Sequence, residues 1–291
     1  MKKNKLFTIR VALIVALGGF LMGFDASVIS GVVKFIEPQF DLNKIQLGWS
    51  VSSLTLMATL AMLVSGPISD RLGRRTVLKY AAVLFSISAI GSALAPNFAM
   101  LVIARMLGGI GVGASLIIAP VFIAEISPPE RRGRLVSFNQ LNIVLGISVA
   151  FFTNYLIVRL GSSDAAWVET LGIAEHNWRW MLGLETLPAV FYFVALFFVP
   201  RSPRWLMMTG KMEEAKQVLV RANGAEGAEL EFRNIDESIK SSAQEKKIPI
   251  NELFKPALKL VLTIGLGIAV LQQITGINAV FFLSLIHISE P

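Results

Sequence analysis

Seven apolar runs divide the sequence, at residues 10–33, 45–68, 76–95, 98–124, 135–158, 180–199 and 258–283. A hydrocarbon core about 30 Å thick needs roughly 20 apolar residues per helical crossing, so each run is long enough to span with some tilt. The pattern therefore predicts an all-α, polytopic membrane protein. Between the third and fourth runs only Pro96 and Asn97 interrupt the apolar character, which leaves room for a tight hairpin and nothing more. The opening "MKKNKLFTIRVALIVALGGFLMG" also has the form of a secretory signal peptide. Its apolar run continues past Asp25 to Val33 and further spans follow, so it is read as a retained first helix.

Residues 201–257 are the one long polar connection. Ser202-Pro203 predicts a helix start, with Ser as N-cap and Pro at the first helical position. Trp205, Leu206, Met212, Ala215, Leu219 and Val220 form one apolar face, and Asn223-Gly224 predicts a stop. Short amphipathic cytoplasmic helices are expected, followed by a weakly structured link at "SIKSSAQEKKIP", residues 238–249. The domain reading is thus a six-helix half at 1–200, a cytoplasmic linker at 201–257, and a seventh span at 258–291.

Charge sets the orientation. Lys and Arg accumulate in cytoplasmic loops, and 22 of the 27 fall on one side: four at the N-terminus, four at 71–79, three at 131–134 and eleven at 201–259. The alternate loops hold only Lys34, Lys44, Arg159 and Arg179, while Arg105 lies within a span. The N-terminus is therefore expected in the cytoplasm, with the protein in a plasma or inner membrane. Topology accounts for the net charge of +7, so no nucleic-acid partner is inferred. With 54% hydrophobic residues, no cysteine, and two distant histidines at 176 and 287, thiolate and metal chemistry have no support. No enzymatic activity or cofactor is expected, and no obligate protein partner is inferred; the lipid bilayer is the expected surrounding.

The loop "GPISDRLGRR", residues 66–75, resembles the major facilitator superfamily, whose pattern Gly, three residues, Asp-Arg, one residue, Gly-Arg-Arg lies between helices two and three. Further motifs resemble the sugar porters within it: "RMLGGIGVG" (105–113), "AEISPPERRGRL" (124–135), "SFNQLNIVLG" (137–146), "VPRSPRWLM" (199–207) and "LQQITGINAVFF" (271–282). The resemblance implies a six-helix N-terminal half built of 3+3 inverted repeats, out of a family total of twelve helices in two halves. This chain would then end inside helix seven. Its tail "LSLIHISEP", residues 283–291, departs from the family and reads as a truncated frame or a foreign terminus, so His287 and Glu290 are not taken as site residues.

Within this frame the loop residues Asp70, Arg71, Gly73, Arg74 and Arg75 are expected at a cytoplasmic gate. Asp70, at a helix end beside basic residues, would pair across an interface that opens. The resemblance adds Glu125 and Arg132 as a pair in the loop after helix four, and Arg204 as the closing Arg of the motif after helix six. The family usually has Glu where this chain has Arg201. The glycines of "GGIGVG" lack the preceding strand that a dinucleotide loop requires. Gly109 and Gly113, like Gly19 and Gly23, are read as small residues for helix packing.

A charge inside a span is costly and usually faces a cavity or a partner. Asp25 precedes the outer end of its helix near Lys34 by nine residues, about 13 Å, and Arg105 follows the outer end of its helix near Phe98 by seven, about 10 Å. Both stand on the first helix of a three-helix unit. An Asp25–Arg105 pair is expected, either as a static packing pair or as a proton switch, since a carboxylate freed from its guanidinium in a low-dielectric cavity tends to take up a proton. For a sugar, Gln272, Gln273 and Asn278 are candidate ligands beside a helix weakened at Thr275-Gly276, because neutral amides both donate and accept; interhelical bonding is the alternative. Gln140 matches a further sugar-contacting position of the family. Phe24, Phe281 and Phe282 are candidates to cover apolar sugar faces, with core or lipid contact the commoner role of any one aromatic.

The leading functional expectation is proton-coupled uptake of a monosaccharide, whether pentose, hexose or a related polyol, by alternating access. The alternatives are a facilitative uniporter or polyol carrier, and a non-transporting sensor or inactive truncated fragment.

Overall fold

The computed structural model describes residues 2–163, 165–244 and 256–276. Their elements are all helical: α1 (Lys2–Gln39), α2 (Lys44–Leu72), α3 (Arg74–Ala93), α4 (Phe98–Ile126), α5 (Arg132–Gly161), α6 (Ala166–Thr170), α7 (Asn177–Gly183), α8 (Thr186–Ala195), α9 (Pro203–Met208), α10 (Met212–Gln244) and α11 (Pro256–Ile274). Two compact units result, Met1–Phe232 and Arg233–Pro291. Six helical stretches among the described residues, all in the first unit, are long and apolar enough to cross a membrane. Helices satisfy this need because lipid offers no partner to backbone N–H and C=O groups.

Local chemistry sets the ends. Asn43 starts α2 through a capping box: its Oδ1 accepts from the Gln46 N–H at 2.8 Å and Gln46 Oε1 accepts from the Asn43 N–H at 3.0 Å. Gly73, at φ +89°, separates α2 from α3 in a conformation that side chains disfavour. Asn97 caps α4 by accepting from the Met100 N–H at 2.9 Å, which explains the tight hairpin. Ser202 caps α9 by accepting from the Trp205 N–H at 3.2 Å.

Four elements differ from the sequence reading. α1 extends well beyond 10–33 at both ends: its polar flanks continue as helix past the apolar run, and it ends only after Pro38 in its last turn, with Asp41 at φ +48° just beyond. The sixth span is broken: α7 gives way to α8 at Leu184-Glu185, then to a 3₁₀ turn at Leu196–Phe198. Pro188 explains the break, since it cannot donate to the Leu184 carbonyl; Leu187 N–H bonds there instead at 3.2 Å. Asn223-Gly224 ends one helix as expected, with Gly224 non-helical at φ +82° and ψ 173°, but a second helix follows it directly within the stretch Met212–Gln244. Beyond it α10 continues to Gln244, so 238–244, expected as a weak link, are helical. Ala, Glu and Lys favour helix here, and Asp236 and Lys240 pair across one turn at 2.5 Å; that contact raises the exposed Lys240 ammonium above its ordinary pKa. In the second unit α11 ends at Ile274 and turns at Thr275-Gly276, Gly276 having φ +71°.

Packing in the first unit follows a swapped pattern. α1 packs chiefly on α5, α2 on α4, and α3 on α4 and α8. The first helix of each three-helix unit thus meets the second helix of the other, as a pair of inverted repeats requires. Glycines make both contacts close. A Cβ at Gly23 of α1 would strike the Ile143 carbonyl of α5, and one at Gly113 of α4 would strike the Ala58 carbonyl of α2.

Candidate functional site

Where α1 and α4 cross near mid-depth, Arg105 reaches three acceptors. Its Nη1 donates to Asp25 Oδ1 at 3.2 Å, its Nη2 to the Asp25 carbonyl at 3.4 Å and its Nε to the Ser50 carbonyl of α2 at 3.1 Å. Asp25 and Arg105 are each 1% exposed. A charge pair this deep is tolerable only with good geometry and added hydrogen bonds, and the fork of a guanidinium supplies them. Gly108 makes room beside it, since a Cβ there would lie 2.9 Å from Asp25 Oδ2 and 2.5 Å from Ser88 Oγ of α3.

The sequence reading missed a third member. Glu185, at the break between α7 and α8, is also 1% exposed and interacts electrostatically with both Asp25 and Arg105. Neither Asp25 Oδ2 nor Glu185 Oε1 has a hydrogen bond within the described protein. The signal was available: an acid inside the apolar run 180–199 meets the same criterion that singled out Asp25. Only Asp25 of the two carboxyls contacts the guanidinium, and the two carboxyls with one guanidinium are together neutral when a single proton is bound.

A second polar network lies at the face where α1, α3 and α5 begin and α2, α4 and α8 end, called here the N-terminal face. Arg74 Nη2 contacts Asp70 Oδ1 at 2.8 Å and Glu125 Oε1 at 3.0 Å, while Nη1 donates to the Ser69 carbonyl at 3.2 Å. Ser202 Oγ donates to Glu125 Oε2 at 2.5 Å, and Trp205 Nε1 to the Asp70 carbonyl at 3.1 Å. The Trp205 ring covers Gly73, leaving no room for a side chain. Arg75 donates to the carbonyls of Leu196 and Phe197, both at 2.9 Å. Arg71 is exposed, and Arg204 stands on α9 in the same region.

One expectation is corrected here. Glu125 pairs with Arg74, not Arg132; Arg132 instead contacts Glu231 of α10 at 3.1 Å. The Pro128-Pro129 turn separates the two, so Glu125 ends α4 against α3 and α9 while Arg132 opens α5 towards α10. Asp70 pairs with Arg74 one helical turn away, within its own loop.

The expected sugar ligands are divided between the two units. Gln140 is exposed on α5, beside the buried Asn139. Gln272 is exposed on α11 in the second unit, and Gln273 stands on the same helix. Asn278, Phe281 and Phe282 lie outside the described residues. Phe24 is buried, its ring 6.3 Å from that of Phe20, as a core residue.

Six apolar helices in swapped-repeat packing, with a buried charge cluster between them, define a multi-pass integral membrane protein built as a half of the major facilitator fold. The model of the family described as "Sugar (and other) transporter" matches residues 11–286, and the chain belongs to that family, whose members are porters rather than enzymes. Among curated relatives it is 40% identical over 276 residues to the arabinose-proton symporter of Bacillus subtilis, covering 95% of this chain and 57% of that one. It is 40% identical over 285 residues to the glucose transport protein of Synechocystis, covering 97% and 59%. Among solved structures, the partially occluded, inward-open xylose transporter XylE from E. coli superposes with a TM-score of 0.81 at 34% identity, covering 95% of this chain and 66% of that one. The chain spans a little over half the length of the curated relatives it matches.

Proposed function

We propose that this chain supplies the six-helix half of a secondary transporter that takes up a monosaccharide together with protons by alternating access. The observation that carries the reading is the buried Asp25–Arg105–Glu185 cluster. Asp25 is the proton-exchanging group, and Arg105 its partner; a shift of α1 against α4 within this half, driven by the rocking of the two halves, separates them and lets the carboxyl exchange a proton with the open side. Glu185 shares the guanidinium and holds the cluster to one net proton. Gln140, Gln272, Gln273 and Asn278 hydrogen-bond the sugar, whose hydroxyls need partners that both donate and accept. Relatives named for arabinose and glucose, and a structural neighbour named for xylose, support a pentose or hexose. The N-terminal face lies in the cytoplasm, where Asp70, Arg71, Gly73, Arg74, Arg75, Glu125, Arg132 and Arg204 form the gate.

The test uses full-length transporter in proteoliposomes carrying an imposed proton gradient. Asp25→Asn should abolish accumulation of labelled sugar against its gradient while counterflow exchange continues. Undiminished accumulation overturns the proposal.

A further inference from the structure

At the N-terminal face the end of the sixth span gathers three cations and no anion. Arg75 spends Nε and Nη2 on the carbonyls of Leu196 and Phe197, leaving Nη1 without a hydrogen bond to the described protein. Lys79, one turn along α3, places its ammonium 3.3 Å from the centre of the Phe197 ring. Arg201 sets its guanidinium 5.6 Å from the Trp205 ring centre, and it is close enough to Arg75 and Lys79 to repel both. Each cation is thus placed by a neutral acceptor, either a carbonyl or an aromatic face. Of the acids on this face, Asp70 is engaged with Arg74, and Glu125 with Arg74 and Ser202. Among the described residues none of the three cations is paired with a carboxylate.

The apolar surroundings point to what supplies the anion. Phe198 is 79% and Phe197 53% exposed, and both stand at the membrane end of the sixth span, next to the exposed Phe191, Val194 and Tyr80. Cations adjoining exposed aromatics at the level where a span ends match a phosphodiester headgroup above two acyl chains. Guanidinium groups suit phosphate oxygens by their planar fork, and the lysine adds a point charge.

We propose that Arg75, Lys79 and Arg201 hold the phosphate of an anionic phospholipid, whose acyl chains lie along Phe197 and Phe198. The lipid closes the charge balance that the protein leaves open, tying the start of α3 to the end of the sixth span.

Native mass spectrometry of the full-length protein in detergent tests this, with phosphatidylglycerol and phosphatidylcholine of identical chains added in turn, and inorganic phosphate as a third arm. Phosphatidylglycerol should be retained over phosphatidylcholine, and Arg201→Glu, which puts a carboxylate beside Arg75 and Lys79, should lower that preference about fivefold or more. Arg201→Lys keeps the charge in place and should retain most of the preference, which separates a lost site from a misfolded protein. Equal retention of the two lipids, unchanged preference in Arg201→Glu, loss of preference in Arg201→Lys equal to that in Arg201→Glu, or displacement of phosphatidylglycerol by inorganic phosphate overturns the proposal.

Discussion

Replacing Arg105 by glutamine takes away the only cation that Asp25 and Glu185 share, and the structure sets the size of the effect. The guanidinium makes hydrogen bonds to Asp25 Oδ1, the Asp25 carbonyl and the Ser50 carbonyl, all of them buried. Removing one partner of such a pair costs about 3–5 kcal/mol, because the remaining charge stays in a low-dielectric site. Asp25→Asn is milder. Arg105 then keeps its two carbonyl bonds and retains Glu185 as a counter-charge, so the loss should be closer to one charged hydrogen bond, about 1.5–3 kcal/mol. For a folded unit near 200 residues, each kcal/mol moves the melting temperature by roughly 2–4 °C, so Arg105→Gln should melt roughly 6–20 °C below the parent. Tryptophan fluorescence during heating reads the transition at fixed pH and detergent, and the buried Trp178 lies within the same helical unit. In the double variant Asp25→Asn/Arg105→Gln the losses should fall short of their sum by about 1–3 kcal/mol, since the second change removes a charge the first has stranded. Additive losses, or an Arg105→Gln variant melting within about 2 °C of the parent, would refute the claim that these groups act as one cluster.

Two further outcomes follow from the packing and from the N-terminal face. Gly23→Val and Gly113→Val each force a side chain into a backbone carbonyl of the facing helix and should destabilise by about 1–3 kcal/mol or prevent monodisperse expression. Gly48→Ala, with open space at its Cβ, should leave the melting temperature unchanged or raise it by an amount worth about 0.5–1 kcal/mol. Glu125→Ala strips a largely buried partner from Arg74 and should cost about 1.5–3 kcal/mol in the same scan, whereas Asp70→Asn, at an exposed carboxylate, should cost under about 1 kcal/mol. Equal losses in the latter two variants would show that Glu125 does not carry the network.

What the sequence made legible follows from which physics is local. The first six spans and the all-α class come from run length alone, because apolar runs near 20 residues suit helices that satisfy their own backbone in lipid. Asp25 and Arg105 could be matched because helical rise converts residue counts into depth, and both counts start from the same membrane surface. Glu185 escaped because the sixth run was judged by its length and not by the acid within it. Glu125 and Arg132 were paired by proximity in one motif, yet a two-proline turn aims them at different helices. Asn223-Gly224 reads as a stop, and one helix does end there, but that a second begins at once depends on the residues beyond it. The amides of helix seven belong to a unit whose relation to the cluster no local signal encodes.

The spacing of the charge pair has a consequence in time as well as in space. Asp25 and Arg105 stand 80 residues apart. At about 5–20 residues per second, the ribosome needs roughly 4–16 s to deliver the arginine after the aspartate. For that interval α1 is a membrane helix with an acid and no countercharge, carrying an insertion cost of about 2.5–3.5 kcal/mol. The glycine-lined contact with α5 also waits, since Ile143 emerges later still. The first helix is therefore the last to find its final place, and nascent chains stopped before α4 should hold it least securely in the bilayer.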